Sequence, residues 1–586
     1  DSFFELGGHS LLAIQLLERM RRQGWAVEVR TLFQHPRLGD FVAAMSAGGG
    51  GARAQVEVPR NGIPAQGCDA IEPGMLTLVA LEEASIRAIE AAVPGGARNI
   101  QDIYPLAPLQ EGILFHHLMQ TEGDSYVTTL LLSFDTEARM RQFVASLDQV
   151  IARHDILRTA VLWEGLLNPV QVVYREAALP LEWLPPADGD AGDVASRLNA
   201  HVDASRYRID VRRAPMIRAI AAHDADNGRW LLQLPSHHLA LDHTSEELLI
   251  EEIALVLQGR QAELPEPVPF RRYVAQARLG MRPEEHEEFF RRMLGDVDEP
   301  TTPFGLSDVR LAGGRVAQAR LLLDAALSLR LRQCAQRLGV SAATLFHLAW
   351  ALVLGKTTGR DDVVFGTVLF GRMQGGQDAH RALGMFINTL PIRVRLGARA
   401  LDVCLRETHA TLSDLLHHEH APLSLAQRCS ALPGATPLFS AILNYRHSAS
   451  REGEAHAQTW LGMDALEAVE RTNYPFTLNV NDQAEGFELV VQVEQSIDVQ
   501  RMAGFMRSAV CGIVDGLDAK AKVAACDLDL LDESERGRLW SWGVEPAAWG
   551  DEGAVHRRIE AQARRDPDAV ALVFGERSLS YGELNA

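Results

Sequence analysis

Three histidines and an aspartate, His237, His238, Asp242 and His243, lie within seven residues, just after an apolar run that ends at Leu234. An imidazole titrates near neutral pH, so a histidine presented to a substrate can accept a proton from an incoming nucleophile. The same residue types could ligate a metal, but neighbouring histidines point apart and no second zinc-type cluster stands out. A structural role for all three histidines is the remaining alternative. A second pair, His116 and His117, is followed by Gly123 and Asp124. Ser10 follows Gly7, Gly8 and His9 and opens an apolar-periodic segment. A hydroxyl in the first turn of a helix has no preceding turn to cover it; an ordinary N-cap is the plain structural alternative.

The elements that must position these groups follow from periodicity. Leu12, Leu16 and Met20 recur at four-residue spacing, which predicts a helix over 10–22, and a shorter one follows over 38–47. Glycines from Gly48 to Gly51, with Pro and Gly recurring to Gly74, read as a linker. Met140, Phe143, Leu147, Val150 and Ile151 form the stripe of a helix over 138–154, and His154 falls on that stripe as a structural residue. Residues 230–234 read as a buried strand, 341–355 as a helix and 363–369 as a strand. His237 and His238 therefore sit in a strand-to-helix loop. The following helix has Thr244 and Glu247 at capping-box spacing and a stripe of Leu249, Ile253 and Val256. His116 and His117 fall on a helix predicted from Pro108 to Gly123. Neighbours there face about 100° apart, so at most one points squarely into a channel.

Composition bounds the rest. The chain has 586 residues with 47% hydrophobic content, enough for several domains, and the mixed α/β body is too long for one compact core. The net charge of −20 argues against a nucleic-acid binder, which would carry a basic stripe. Six cysteines are scattered without a CxxC pair, so no zinc ribbon or disulfide framework is suggested. No apolar run is long enough to span a membrane, and no signal peptide is seen. A cytoplasmic location is expected.

The run from Asp1 to Leu11 resembles the peptidyl carrier proteins of nonribosomal peptide synthetases, whose signature DxFFxLGGHSL it matches at every fixed position. The resemblance implies that Ser10 carries 4′-phosphopantetheine, installed by a phosphopantetheinyl transferase, and that the carrier's first helix lies before Asp1. The run HHxxxD after a strand resembles the active-site motif of condensation domains and the wider chloramphenicol acetyltransferase-like superfamily. By that likeness His238 is catalytic and faces a channel between two lobes that form a V. His237 and Asp242 are mainly architectural, and Asp242 pairs with an arginine, for which Arg393 matches the partner motif. The runs from Tyr104 to Phe115, Arg153 to Thr159, Thr436 to Ser440 and Arg471 to Phe476 are similar to further landmarks of the family.

Two departures point to a subtype. His243 stands where a glycine is usual, and the run from His116 to Asp124 matches HH[I/L]xxxxGD, the extra motif of dual epimerisation/condensation domains. The resemblance then implies inversion of the donor residue from L to D before the peptide bond forms. A plain D-donor condensation domain, an epimerase alone, a coenzyme-A acyltransferase and a non-catalytic recruitment domain of the same fold are the rivals. The implied organisation is a carrier over 1–48, a linker over 49–71, a condensation domain over 72–528 with lobes dividing near 270/271, a linker over 529–553, and over 554–586 the start of an adenylation domain. That last segment rests on the run from Leu579 to Leu584. Both ends read as cut from a longer polypeptide. The implied partners are upstream and downstream modules, with a downstream carrier as acceptor. No metal, nucleic acid or membrane is implied.

Overall fold

The computed structural model describes the chain except residues 1, 4, 5, 7, 9, 24, 26, 28, 48–55, 186–192, 308–315, 374–377, 435, 448–459, 470–471, 484–485, 520–521 and 545–553. It divides into two units, Asp1–Leu530 and Leu531–Ala586.

The first unit begins with helices Ser10–Arg22, Val29–Gln34 and Leu38–Ala47. The glycine run of the expected linker lies outside the described residues. Ala13, Leu17, Leu32, Phe33 and Phe41 make a small core, completed by Met373 from the body of the unit. Helix Val29–Gln34 lies on helix Leu401–His417. Arg30 pairs with Asp414 at 3.0 Å, Gln34 donates to the same carboxylate at 3.2 Å, and His409 Nε2 donates to the Phe33 carbonyl at 3.3 Å.

The body is two lobes of mixed α/β structure. The first contributes β1 (Ile100–Pro105), β2 (Val127–Phe134), β3 (Thr159–Leu162), β4 (Val170–Tyr174), β5 (Leu181–Trp183), β6 (Ala219–Asp224) and β7 (Arg229–His237). The rest of the chain contributes β8 (Val316–Leu322), β9 (Asp362–Leu369), β10 (Asn388–Arg395), β11 (Ala441–His447), β12 (Met463–Val469), β13 (Phe476–Asp482) and β14 (Phe487–Glu494), all but β12 in the second lobe. The second lobe's sheet runs β10-β9-β11-β13-β14-β8. Its core centres on helix Ala342–Thr358, buried continuously from Thr344 to Gly355. A helix apolar on every side needs cover on every side, and the strands and neighbouring helices supply it. Burying a side chain such as Phe346 or Trp350 stabilises by roughly 1.5–3 kcal/mol.

The lobes are not cleanly separable in sequence. The first lobe's larger sheet runs β12-β2-β7-β6-β5, so β12, from the later part of the chain, completes it. Helix Arg271–Leu279 follows the expected boundary near 270, yet Tyr273 and Val274 pack in the first core. Ala382, Leu383, Met385 and Phe386 join them there, brought by the segment between β9 and β10. The strand before His237 is longer than the sequence suggested, because β7 pairs with β2 along its full length, Trp230 against Phe134 through His237 against Val127.

The second unit holds helices Glu533–Gly543 and Val555–Arg565 and a hairpin of β15 (Val570–Phe574) and β16 (Arg577–Ser580). A short helix, Tyr581–Asn585, is closed by a Ser580/Glu583 capping box.

Candidate active site

His237 ends β7 and His238 begins the turn. The His237 amide donates to the Met216 carbonyl at 3.0 Å and the His238 amide to the Tyr126 carbonyl at 2.9 Å. Gln110, from the helix Pro108–Met119, donates to the Leu239 carbonyl at 2.8 Å and fixes the turn from the other side. Asp242 then caps helix His243–Leu257, accepting from the Ser245 amide at 2.8 Å. The cap is Asp242 rather than Thr244, because the helix starts two residues earlier than the capping-box spacing implied.

Asp242 does not pair with Arg393. Its partner is Arg372, at 3.1 Å, and both side chains are buried. Arg372 also donates to Ser245 Oγ at 2.9 Å and to the Ala379 carbonyl at 3.0 Å, and its guanidinium lies 3.9 Å from the Phe386 ring centre. The other Asp242 oxygen accepts from the Phe386 amide at 3.0 Å. This aspartate therefore ties the strand–turn–helix of the first lobe to the segment arriving from the second. Gly371 allows the approach: it has φ +69°, and a Cβ there would lie 1.7 Å from the Phe386 carbonyl. Arg393 sits on β10, where it pairs with Asp362 at 2.7 Å and Asp296 at 2.5 Å. Burial in itself lowers the Arg372 pKa, and Asp242 opposes that shift.

The N-terminal pair converges on the same turn, but its two members do different things. Asp124 Oδ2 lies 2.5 Å from His117 Nδ1 and 3.0 Å from His237 Nε2, and all three side chains are buried. Burial opposes ionisation of Asp124, but the hydrogen bonds from His117 and His237 outweigh it and hold the carboxyl far below the usual range. Burial pushes the His237 pKa down, against the pull of Asp124. Gly123, with φ +67°, lets this loop run against Ala204 and Ser205, where a Cβ would meet backbone at 2.4 Å. These three groups are the only described cluster compact enough to bind an ion. The hydrogen bonds among them already account for the ring nitrogens and the carboxylate oxygen involved.

His116 turns the other way. Its Nε2 lies 3.2 Å from Asn473 Nδ2, and Asn473 Oδ1 accepts from the Tyr126 hydroxyl at 3.0 Å. The His116 and Tyr126 rings are 6.0 Å apart. His243, the fifth candidate histidine, lies on the helix with its side chain 40% exposed, 3.8 Å from Glu247. His154 bonds Glu252 at 2.9 Å and is structural, as its place on the stripe indicated.

His238 Nδ1 lies 3.0 Å from the Leu241 carbonyl. A carbonyl only accepts, so the ring proton sits on Nδ1 and Nε2 is the basic nitrogen. Sequence reasoning missed Arg372, and it quoted Gln110 and Asn473 inside motifs without giving either a role. Ser10 opens its helix as expected, though its side chain, like parts of the carrier motif and Arg471, lies outside the described residues.

A strand-end histidine set at a two-lobed junction, with a buried ion pair closing the turn behind it, defines a condensation-type fold. The family described as condensation domain matches residues 100–532, and the phosphopantetheine attachment site matches residues 1–45. The chain belongs to the condensation-domain family, of nonribosomal-peptide-synthetase type, with a phosphopantetheine-attachment segment ahead of it. Malpibaldin synthetase and malpinin synthetase, both of Mortierella alpina, are 44% and 43% identical to it over 100% of this chain. The chain spans 10% and 7% of their lengths. A solved four-domain nonribosomal peptide synthetase bound to AMP and glycine superposes with a TM-score of 0.59 at 15% identity, over 83% of this chain and 38% of that one. At that identity the likeness is one of fold.

Proposed function

We propose that this protein joins a donor acyl group, carried on Ser10, to the amine of an aminoacyl group on a downstream carrier, and that it first inverts the donor α-carbon from L to D. The observation that carries the dual reading is the convergence of His117 and Asp124 on His237, beside the catalytic turn. It gives the HHxxxxxGD run a physical place at the site where a plain condensation domain needs none. The arm fits the carrier: Ser10 begins a helix two residues after Gly8, and a cavity of about 200 Å³ opens beside Gly8 and Phe33. When attached, the arm supplies a thiol that holds the donor as a thioester.

The acceptor α-amine has a pKa near 8 and is partly protonated at neutral pH. His238 Nε2 positions the neutral amine and accepts its proton as the carbon–nitrogen bond forms. Presenting both reactants from tethers makes the encounter effectively intramolecular. In this reading the same Nε2 also removes the donor α-proton beforehand. Arg372 and Asp242 act through the turn and touch no substrate. The segment over 554–586 is read as the start of an adenylation domain, and the whole chain as a module junction.

The test is to load Ser10 with an L-aminoacyl phosphopantetheine, supply an acceptor thioester and read the configuration of the product. A D-residue at the junction supports the dual reading. An L-residue leaves condensation alone, and no product with either donor favours the non-catalytic recruitment reading.

A further inference from the structure

Inversion at a carbon needs a proton removed on one face and another delivered on the opposite face. His238 can serve only one of them. Four imidazoles crowd this junction, and their partners decide which can change protonation state. His237 Nδ1 accepts from the Leu239 amide at 3.1 Å, and its Nε2 donates to Asp124. An amide N–H never accepts, so protonating Nδ1 would break that bond in a buried site. His117 is fixed in the same manner. Its Nδ1 donates to Asp124, and its Nε2 lies 3.1 Å from an Arg208 NH2, a donor with no acceptor capacity. Arg208 is itself held by the carbonyls of His117, at 2.7 Å, and Gly123, at 2.9 Å. In His237 and His117 alike, each ring nitrogen is already engaged, one as donor and one as acceptor.

His116 differs because its partner is reversible. In the arrangement present, Asn473 Nδ2 donates to His116 Nε2 while the Tyr126 hydroxyl donates to Asn473 Oδ1. If the amide turns over, Oδ1 accepts from a protonated His116 and Nδ2 donates to the hydroxyl, which can act in either sense. Both charge states of His116 keep these hydrogen bonds. Tyr126 also adjoins His238, whose amide bonds its carbonyl.

We infer that His116 is the second proton-exchanging group of the inversion, with Asn473 and Tyr126 as its positioning residues; this rests on the dual reading above. His238 Nε2 takes the α-proton as the C–H bond breaks, and the electron pair moves onto the donor carbonyl. Imidazolium His116 delivers a proton to the opposite face, the new C–H bond forms, and His116 is left neutral. Exchange with water then takes a proton from His238 and returns one to His116.

The experiment uses the full chain loaded at Ser10 with an L-donor in deuterated water, without acceptor. It measures both deuterium entry at the α-carbon and inversion. Wild-type protein is expected to invert about once per exchange. In H116Q the ratio of exchange to inversion is expected to rise roughly 10²-fold, because His238 still removes the proton and returns it to the same face. In H117Q both rates fall together and the ratio holds. Wild-type protein that never inverts defeats the dual reading itself. Wild-type inversion with an unchanged ratio in H116Q, or a ratio that rises in H117Q instead, overturns the assignment to His116. If H116Q does not fold, N473A is expected to raise the same ratio, and an unchanged ratio there overturns it equally.

Discussion

Replacing Asp242 with alanine tests how the turn is held. The substitution removes the acceptor for Arg372, for the Ser245 amide at the helix start and for the Phe386 amide. Breaking a buried ion pair from one side costs about 3–5 kcal/mol, because the remaining charge stays buried without compensation. The lost helix cap adds about 1 kcal/mol. Native domains hold only about 5–15 kcal/mol in all, so D242A is expected to lower the urea midpoint steeply. The loss of amide protection is expected first over residues 379–386, where the crossing segment depends on this carboxylate. R372A removes the charge instead and is expected to cost a comparable amount. The double variant D242A/R372M, which leaves no buried charge, is expected to cost clearly less than the sum of the single changes. R393A removes a largely buried guanidinium but leaves both carboxylates reaching solvent, and is expected to cost less than R372A, which leaves Asp242 buried and unpaired. If R393A destabilised more than R372A, or if the double variant were strictly additive, the reasoning from the buried pair would fail.

H238A is expected to lower the coupling rate roughly 10²–10⁴-fold with a supplied D-donor, measured by product formation in single turnover. Burial lowers the pKa of His347 and of His420 to about 4, and that of His418 to about 3. In each case the unfolded chain binds the proton first. Stability is therefore expected to fall as pH drops below about 6.5 and to go on falling to about 3, read as a decline in urea midpoint across that window. Reversing the carrier contact with D414R is expected to weaken docking by up to about 1 kcal/mol, and R30D in the same chain to restore part of it, both followed by crosslinking of carrier to body.

The sequence made the histidine turn legible because its parts are local. A strand, two histidines and a helix start within ten residues constrain one another whatever the rest of the chain does. The ion pair behind the turn was not legible. Asp242 and Arg372 are 130 residues apart, and nothing in the spacing separates Arg372 from Arg393. The difference lies in the sheet: β10 presents Arg393 toward Asp296 and Asp362, while Arg372 lies past the end of β9, where Gly371 turns the chain toward the first lobe. The unlike roles of His116 and His117 were half visible, since helical geometry already sent the two rings in different directions. What each ring meets depends on Arg208 and Asn473, distant residues that no local pattern connects to the pair. The lobe boundary was blurred for a similar reason: β12 completes a sheet whose other strands precede it by more than two hundred residues.

The exchange of β12 into the first lobe, together with the crossing segment anchored by Arg372, stitches the halves along two separate seams. Prising the halves wide apart would cost a ladder of backbone hydrogen bonds and a buried charge pair at once. Motion between the halves is therefore confined to what both seams allow, small adjustments of the turn between them and not a wide hinge opening.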